Sequence, residues 1–306
     1  MYRIDNSTAA TSLPTPAAVG PNPNGFFTNG SPGVVPATVV DQDWANAVQE
    51  EIAGVITNAG ITLDKTNRAQ LTAAIAVKIA TVNPGRLLRI VPFTANGTWT
   101  KGAGTTAICV KRIIGGGSSG GGSLATSSSV CSTASGGATG SCAQDVWFDV
   151  TSTATAAVTI GAGGGASTGA GNAGGTTSLV ASAFSISCPG GGVAAVKQDN
   201  TSVTFDVSAQ APPGGSPTIS NSLYVGMSSS GAPGPVGLLF SGSVVSGQGA
   251  SSPLGGGGLN TNSGNGGSAQ GFGAGGGGGA APPSSGNVTG GAGSQGYIEI
   301  WEYSAL

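Results

Sequence analysis

The sequence predicts a mostly β protein, in which an extended N-terminal arm and two short helices precede a glycine-rich, β-sandwich-like domain with packed polyglycine II segments. Three observations predict this arrangement. Prolines crowd the first 40 residues, two helical apolar stripes follow, and from Ile90 onward short β-type segments alternate with glycine tracts. We therefore divide the chain into residues 1–40, 41–85 and 86–306.

The arm is too rich in proline for a helix or a central strand, because six prolines fall between Pro14 and Pro36. Its isolated apolar residues can each fill a pocket, and they are Tyr2, Ile4, Leu13, Phe26 and Phe27. We expect the arm to be ordered by docking on a partner, with a mobile tail as the alternative.

Two helices are predicted between residues 41 and 85. The apolar stripes are Trp44, Val48, Ile52 and Val55 with Ile56 in the first helix, and Leu71, Ile75 and Ile79 in the second. Asp41 or Asp43 can cap the first helix, Asp64 or Thr66 the second, and Gly60 can end the first. Helices this short either form a hairpin or join copies from other chains in a bundle, and we favour the bundle.

Short strands are predicted throughout the rest of the chain. RIVPFTANGTWT indicates a hairpin that turns at Asn96 and Gly97. The other strand candidates are TAICVKRII, DVWFDV, AAVTI, LVASAFSI, SVTFDV, SLYVGM, VGLLFSG and GYIEIWEY. This many short strands predict a sandwich-like body.

Six glycine tracts lie between these strands: Gly115–Gly117, Gly120–Gly122, Gly163–Gly165, Gly190–Gly192, Gly255–Gly258 and Gly275–Gly279. Bare backbones can approach one another closely, so such tracts in polyproline II form can pack and hydrogen-bond together. Mobile loops are the alternative. We expect the packed form, because the tracts alternate with anchoring strands.

Composition argues against several classes of function. The formal net charge is −2 and no basic stripe is present, so we expect no nucleic-acid binding. No apolar stretch is long enough for a membrane helix, and the first residues do not form a secretion signal, so we expect no membrane insertion. Without histidine the usual serine or cysteine triads are excluded, and we expect neither an enzyme nor a cofactor.

The remaining candidates for chemistry are weak. Asp145 with Asp149, or Glu299 with Glu302, could form a carboxylate pair, but solvated surface carboxylates are the favoured interpretation. A zinc site would need all four cysteines at irregular spacing, so no metal is expected. Small buried thiols are favoured for Cys109, Cys131, Cys142 and Cys188, and if one disulfide forms, Cys131 with Cys142 closes the shortest loop.

At its N-terminus the chain resembles a known family. MYRIDNSTAATSLPTP, GFFTNG and DWANAVQEEIAGVITNAGITLDKTNRAQL are similar to the N-terminal region of many tail fibre proteins of phages and prophages. The resemblance covers about the first 80 residues and implies attachment to the tail. The attachment and packing candidates are Tyr2, Ile4, Phe26, Phe27, Trp44, Asn46, Glu50, Glu51 and Leu71, with solvent exposure favoured for the two glutamates.

The C-terminal part resembles the glycine-rich domain of tail fibres and some surface proteins. FTANGTWTKGAG, ICVKRIIGGGSSGGG, VTIGAGGG with GNAGGTTSLVAS, and GYIEIWEY carry the resemblance. It implies that loops between glycine helices contact a receptor. The chain departs from the pattern at SLATSSSVCSTASGGATGSC and from Val207 to Ile298, where specificity should differ.

These resemblances lead to an expected function. The chain should be a virion tail fibre or tail-tip protein, assembled in the host cytoplasm and acting extracellularly, that docks on baseplate or tail-tip proteins. It should bind a host polysaccharide, pilus or outer-membrane protein as a homotrimer. The receptor-contact candidates are Tyr224, Leu238, Leu239 and Phe240, with burial in the core as the alternative. A structural fibre component that carries a separate adhesin is the second interpretation, and a non-phage cell-surface protein the third.

Overall fold

The structure is a computed structural model that describes residues 2–20, 25–82 and 85–304. The chain divides into two compact units, Met1–Pro84 and Gly85–Leu306. Strands make up 30% of the chain and helices 9%, so the protein is mostly β, as the sequence predicts.

Unit 1 contains the two predicted helices, α1 (Gln42–Asn58) and α2 (Gln70–Val82). The Asp41 carboxylate caps α1 by accepting the Trp44 N–H at 2.9 Å. Beyond α1, Gly60 has a φ of +76°, which ends the helix in the left-handed region that glycine tolerates best. The two helices pack together as a hairpin and bury Ala53, Ile56 and Ala74.

The extended arm contacts α1 within its own unit. Arg3 forms a bidentate ion pair with Glu50, with N–O distances of 2.6 and 2.8 Å. The Ile4 N–H donates to the Gln49 side chain at 2.7 Å, and the Ala17 N–H donates to Asp43 at 2.8 Å. Polar contacts therefore fix the arm, while its predicted apolar anchors stay exposed.

Unit 2 is built from antiparallel strands. They are β1 (Leu87–Phe93), β2 (Gly97–Thr100), β3 (Ala107–Ile114), β4 (Val130–Ala134), β5 (Cys142–Asp149), β6 (Thr155–Thr159), β7 (Thr177–Val180), β8 (Ser185–Cys188), β9 (Val196–Asn200), β10 (Asp206–Val207), β11 (Thr218–Ser220), β12 (Tyr224–Ser229), β13 (Leu238–Phe240), β14 (Ser243–Val245), β15 (Ala280–Ala281) and β16 (Tyr297–Tyr303).

Two five-stranded sheets form the larger sandwich of unit 2. Their strand orders are β1-β16-β3-β5-β12 and β11-β8-β7-β6-β2. The alternating side chains of the two inner faces meet in one apolar core, in which Trp99, Phe148 and Ile300 are fully buried. The sandwich-like prediction is confirmed.

The predicted hairpin in RIVPFTANGTWT is wrong. β1 pairs with β16 and β2 pairs with β6, so the two strands belong to opposite sheets. The turn carries the chain across the sandwich, and the Asn96 side chain accepts the Ile160 N–H at 2.7 Å. This crossing lets Phe93 and Trp99 contribute to the same core from opposite sides.

The segment LVASAFSI, predicted as one strand, instead contributes to two strands, β7 and β8, that pair as a hairpin.

Glycine-rich runs without strand structure continue from the ends of the larger sandwich. Successive runs lead away from the sandwich and return to it: 115–123, 135–141, 160–165, 171–176, 189–195, 208–217, 230–237, 246–250, 256–260, 266–270, 274–279 and 288–296. They hydrogen-bond to one another through their backbones and form a slab. The central runs 115–123, 135–141 and 274–279 are completely buried.

The hydrogen bonds of run 115–123 repeat every three residues. Its N–H groups donate to three neighbouring segments in turn. Gly115, Ser118 and Gly121 donate to Ser141, Ala138 and Ser135 of run 135–141. Gly116, Ser119 and Gly122 donate to Gly175, Asn172 and Gly169, in or next to run 171–176. Gly117, Gly120 and Ser123 donate to Ser294, Gly291 and Val288 of run 288–296. A threefold repeat of lateral bonds is what a helix with three residues per turn requires. The tracts are packed polyglycine II segments, as predicted.

A smaller sandwich lies at the other end of the slab. Its sheets have the orders β15-β4-β9 and β10-β13-β14, and Cys131, Leu239, Val244 and Ala280 form the core between them. Leu87 pairs with Tyr303 at the end of the larger sandwich that faces away from the slab. Gly85 and the smaller sandwich are therefore at opposite ends of unit 2.

Candidate functional site

Loops of the smaller sandwich form one surface, which we call the tip: residues 123–129, 200–206, 240–243 and 282–287. Backbone bonds join these loops: Thr201 N–H donates to Ser129 at 2.9 Å, Ser284 N–H to Ser127 at 2.9 Å and Ser241 N–H to Val203 at 3.0 Å. The Ala125 N–H donates to the Asn287 side chain at 2.7 Å. Segments far apart in sequence thus present a single surface.

An exposed aromatic pair is the most prominent apolar feature of the tip. The rings of Phe205 and Phe240 lie 5.2 Å apart between centroids, and the two residues are 57% and 43% exposed. Leu124 on a neighbouring loop is 63% exposed. Large apolar side chains that a folded domain leaves in water at one place are typical of a binding surface.

A small charged cluster lies beside this aromatic pair. The Lys197 ammonium contacts Asp206 at 2.7 Å and Asp199 at 3.6 Å. The hydrogen bond to Asp206 raises the pKa of Lys197, and the same bond lowers the pKa of Asp206. Apart from Asp206, the four tip loops contain no charged residue. A ligand at the tip therefore meets one compact charge group, in which one ammonium pairs with two carboxylates.

Two tip residues have strained backbones. Ser241 and Ser284 have φ values of 41° and 60°. These values lie in the left-handed region, which residues other than Gly, Asn and Asp rarely adopt. Such residues cost about 1–3 kcal/mol each and occur preferentially at functional sites. Here they fix the two turns that present Phe240 and the 282–287 loop.

The predicted receptor-contact residues do not lie together. Phe240 is exposed at the tip and Leu238 is half-buried beside it, but Leu239 is only 1% exposed and belongs to the smaller core. Leu239 must be removed from the contact set, because successive residues of a strand point to opposite faces. Tyr224 is 61% exposed but lies on β12 of the larger sandwich, away from the tip.

The predicted attachment residues leave a largely apolar surface on unit 1. Phe27 contacts Trp44 edge-to-face at 5.3 Å between ring centroids, and both residues are about half exposed. Phe26 is 93% exposed. Tyr2, Ile4 and Leu71 are also exposed, and Asn46 is half-buried.

The candidate carboxylates of unit 2 already have partners. Asp145 pairs with Lys111 at 2.6 Å, and Glu299 accepts the indole N–H of Trp301 at 2.5 Å. Glu302 is fully buried and accepts hydrogen bonds from Arg89, Trp99, Gly102 and Thr105. Burial alone raises the pKa of Glu302, but these bonds together hold it below its ordinary value.

All four cysteines are free and buried. Cys131 lies in β4 of the smaller sandwich and Cys142 begins β5 of the larger one, with the extended run 135–141 between them. The structure therefore does not contain the Cys131–Cys142 disulfide, because the seven-residue run between the two strands alone spans about 20 Å. Burial raises the pKa of the Cys109 and Cys188 thiols to about 12.

The sequence analysis missed Phe205 of the tip and the charged cluster around Lys197 beside it. Phe205 lies in SVTFDV, which resembles a buried strand, yet only Asp206 and Val207 pair in the structure. The one available signal was charge, since Lys197, Asp199 and Asp206 are the last charged residues before Glu299.

No protein-family model matches the chain, and the search of curated proteins found no match. Within the described residues, neither helix is long and apolar enough to cross a membrane, and no group of three or more acidic or cysteine side chains could hold a metal ion. The functional argument therefore depends on the residues and the geometry.

Proposed function

We propose that this chain is a phage tail fibre or tail-tip protein whose unit 1 attaches to baseplate or tail-tip proteins and whose tip binds a receptor on the host surface. Its place is the virion tail, after assembly in the host cytoplasm. The receptor is a polysaccharide, a pilus or an outer-membrane protein. The proposed role is binding, without a catalytic step.

One observation carries the proposal: a slab of packed polyglycine II runs supports a set of loops that are rich in serine, carry an exposed aromatic pair and are held in strained turns. The slab is tied together by backbone bonds and by hydroxyl groups such as Ser118, which accepts the Ala138 N–H at 2.8 Å. Its packing does not depend on the side chains at the tip. Such a scaffold supports a rigid binding surface with interchangeable loops.

The exposed apolar surface of unit 1 supports the attachment role. Trp44 and Phe27 form an aromatic pair that is half in water, and aromatic residues of this kind commonly carry the binding energy of interfaces. The resemblance of the N-terminal sequence to tail fibre proteins points the same way. Docking on a tail protein would cover this surface.

Helix α2 supports a homotrimeric assembly. Leu71, Ile75 and Ile79 form one stripe along the helix, and each is at least 37% exposed. Burial of this stripe against two further copies would complete a bundle. Sedimentation equilibrium of the full-length chain should give the mass of three chains, and a monomer at micromolar concentration would refute the assembly.

The receptor role is tested by measuring whether the purified chain binds bacteria and competes with the phage for them. The full-length chain, labelled with a fluorophore, should bind susceptible bacteria and reduce infection by the phage that carries it. Phe205→Ala and Phe240→Ala should each weaken binding at least tenfold, because each removes an exposed aromatic contact. Val180→Ala is the matched control, since Val180 is 46% exposed in the larger sandwich, away from the tip, and should leave binding unchanged.

The outcomes separate the two interpretations of the chain. A folded protein that neither binds cells nor blocks infection would refute the receptor role and favour a structural fibre component with a separate adhesin. Equal loss of binding in the tip variants and in Val180→Ala would show that the tip is not the site.

A further inference from the structure

The outer face of the larger sandwich carries a row of apolar and aromatic side chains across all five strands. Ile90 pairs with Trp301, Trp301 with Cys109, Cys109 with Trp147, and Trp147 with Tyr224. Residues directly opposite one another on paired strands share a face of the sheet. The adjacent row along the strands contains Ile300, Val110 and Val146, which belong to the core, so the aromatic row lies on the opposite, outer face.

This aromatic row lies beside polar groups that are held in place. The Lys111 ammonium lies 5.2 Å from the Trp301 ring centroid and pairs with Asp145 at 2.6 Å. Asp145 has a φ of 54° in the middle of β5, and this local irregularity brings its carboxylate next to Lys111. The Glu299 carboxylate accepts the Trp301 indole N–H at 2.5 Å. Polar side chains thus border the rings along one side.

A solvated face of an antiparallel sheet is ordinarily polar, yet this face places Ile90 and Tyr224 in water at 49% and 61% exposure. Tyr303 packs on Trp147 at 4.7 Å between ring centroids, with the two rings tilted by 37°, and extends the aromatic surface. We call this surface, formed by Ile90, Trp301, Trp147, Tyr224 and Tyr303, the aromatic platform. Its composition is that of a surface that meets a ligand.

The size of the platform decides which ligand it fits. Four gaps of roughly 4.8 Å between five strands give a length of about 19 Å, and the spacing to the neighbouring row on each side gives a width of about 14 Å. The resulting area of roughly 300 Å² is well below the ~800 Å² that each partner of a stable protein complex buries. A second copy of the chain would thus be held weakly here. An extended, narrow ligand fits better.

We propose that the aromatic platform binds a linear oligosaccharide. A pyranose ring has an apolar face of C–H groups, which stacks on aromatic rings, and a polar edge of hydroxyls, which suits the Lys111, Asp145 and Glu299 side chains. About four sugar rings span the platform, one for each gap of roughly 4.8 Å between strands. This site is separate from the tip, and the inference does not require the tip to bind a receptor.

Intrinsic fluorescence of the full-length chain tests the proposal, since Trp147 and Trp301 are two of its four tryptophans. The probes are soluble hexose and N-acetylhexosamine oligosaccharides of one to six units. We expect saturable quenching by at least one series, with affinity that rises up to about four units and then stays constant. Tyr224→Ala and Trp147→Ala should each weaken binding about threefold to tenfold.

Leu223→Ala is the matched control, because Leu223 precedes Tyr224, is 58% exposed and lies outside the row. It should leave saccharide affinity unchanged. Far-UV circular dichroism and thermal unfolding of each variant identify any loss of fold, and Tyr224→Ala, at an exposed edge, keeps the test valid if Trp147→Ala unfolds.

Three outcomes would overturn the proposal. The first is no saccharide binding by the folded wild-type chain. The second is saccharide binding that Phe205→Ala abolishes and the platform variants do not, which would place the site at the tip. The third is self-association that Tyr224→Ala removes, which would assign the platform to a second copy. Cell binding through the tip can succeed or fail independently of all three.

Discussion

Gly117→Ala tests whether backbone packing of the glycine runs holds unit 2 together. Gly117 lies in the central run 115–123, and a Cβ atom there would collide with the Ala274 carbonyl oxygen of run 274–279. This oxygen belongs to the backbone, which cannot change rotamer to make room as a side chain can. The two runs would have to separate.

The cost follows from three contributions. Forcing one methyl group into a packed interior costs about 1–3 kcal/mol. Separation also lengthens the hydrogen bonds that join these two runs, from Gly276 N–H to Ser118 at 2.9 Å and from Gly279 N–H to Gly121 at 2.8 Å, each of which contributes about 1 kcal/mol. The lower entropy of the unfolded alanine chain offsets about 0.4–1 kcal/mol. We expect a net loss of about 2–4 kcal/mol.

Thermal unfolding monitored by tryptophan fluorescence measures the effect, because three of the four tryptophans lie in unit 2. For a domain of this size the loss corresponds to a Tm lower by about 5–15 °C. Gly165→Ala is the matched control: Gly165 lies in a glycine tract too, but no atom lies within 4 Å of the point that an alanine Cβ would occupy, and its φ is outside the left-handed region. That variant should equal the wild type or exceed it by about 0.4–1 kcal/mol. Equal destabilisation by both substitutions would refute the packing argument.

Two further predictions concern buried groups of unit 2. Glu302→Gln should lower the free energy of unfolding by about 1–3 kcal/mol, since the buried donors of Trp99, Gly102 and Thr105 lose a charged acceptor, while water can solvate the half-exposed Arg89. Because the folded pKa of Glu302 lies below the unfolded value of 4.5, its stabilisation is complete above that pH and is lost as the pH falls through the folded pKa. The wild type should therefore lose stability on acidification more steeply than Glu302→Gln, and parallel pH profiles from urea unfolding would contradict this. The four cysteines should not react with a thiol reagent in the folded chain and should all react in denaturant, because they are buried and the Cys109 and Cys188 pKa values are raised to about 12. Recovery of only two thiols in denaturant without a reductant would show a disulfide.

The sequence was sufficient to predict the helices, most strands and the packed glycine tracts, because each follows from a local pattern. It could not assign strands to sheets, and the Asn96–Gly97 turn shows why: the same residues serve a hairpin and a crossing between sheets. Strand pairs as short as β10 and β15 carry no periodicity to detect. Their formation depends on tertiary packing.

The residues of the tip could be predicted only in part, for a related reason. LLF at residues 238–240 indicates a strand, but three apolar residues in a row do not show which one faces the core. The register of β13 against β14 makes that choice, placing Leu239 opposite Val244 in the smaller core and leaving Phe240 in water. Phe205 then joins Phe240 from a segment more than 30 residues away, a pairing that only the fold creates.

The threefold bonding of the slab explains why this fold suits a binding surface at one end. In run 115–123 every N–H donates to a neighbouring run, so register along the slab is fixed by the backbone and not by core side chains. Substitutions in the loops at 124–129 or 282–287 change no atom in those bonds. Alanine at any glycine of that run, in contrast, would place its Cβ against a carbonyl oxygen of a neighbouring run, as at Gly117. The same backbone therefore tolerates variation at the tip and forbids it in the central run, which is the division that a receptor-binding scaffold requires.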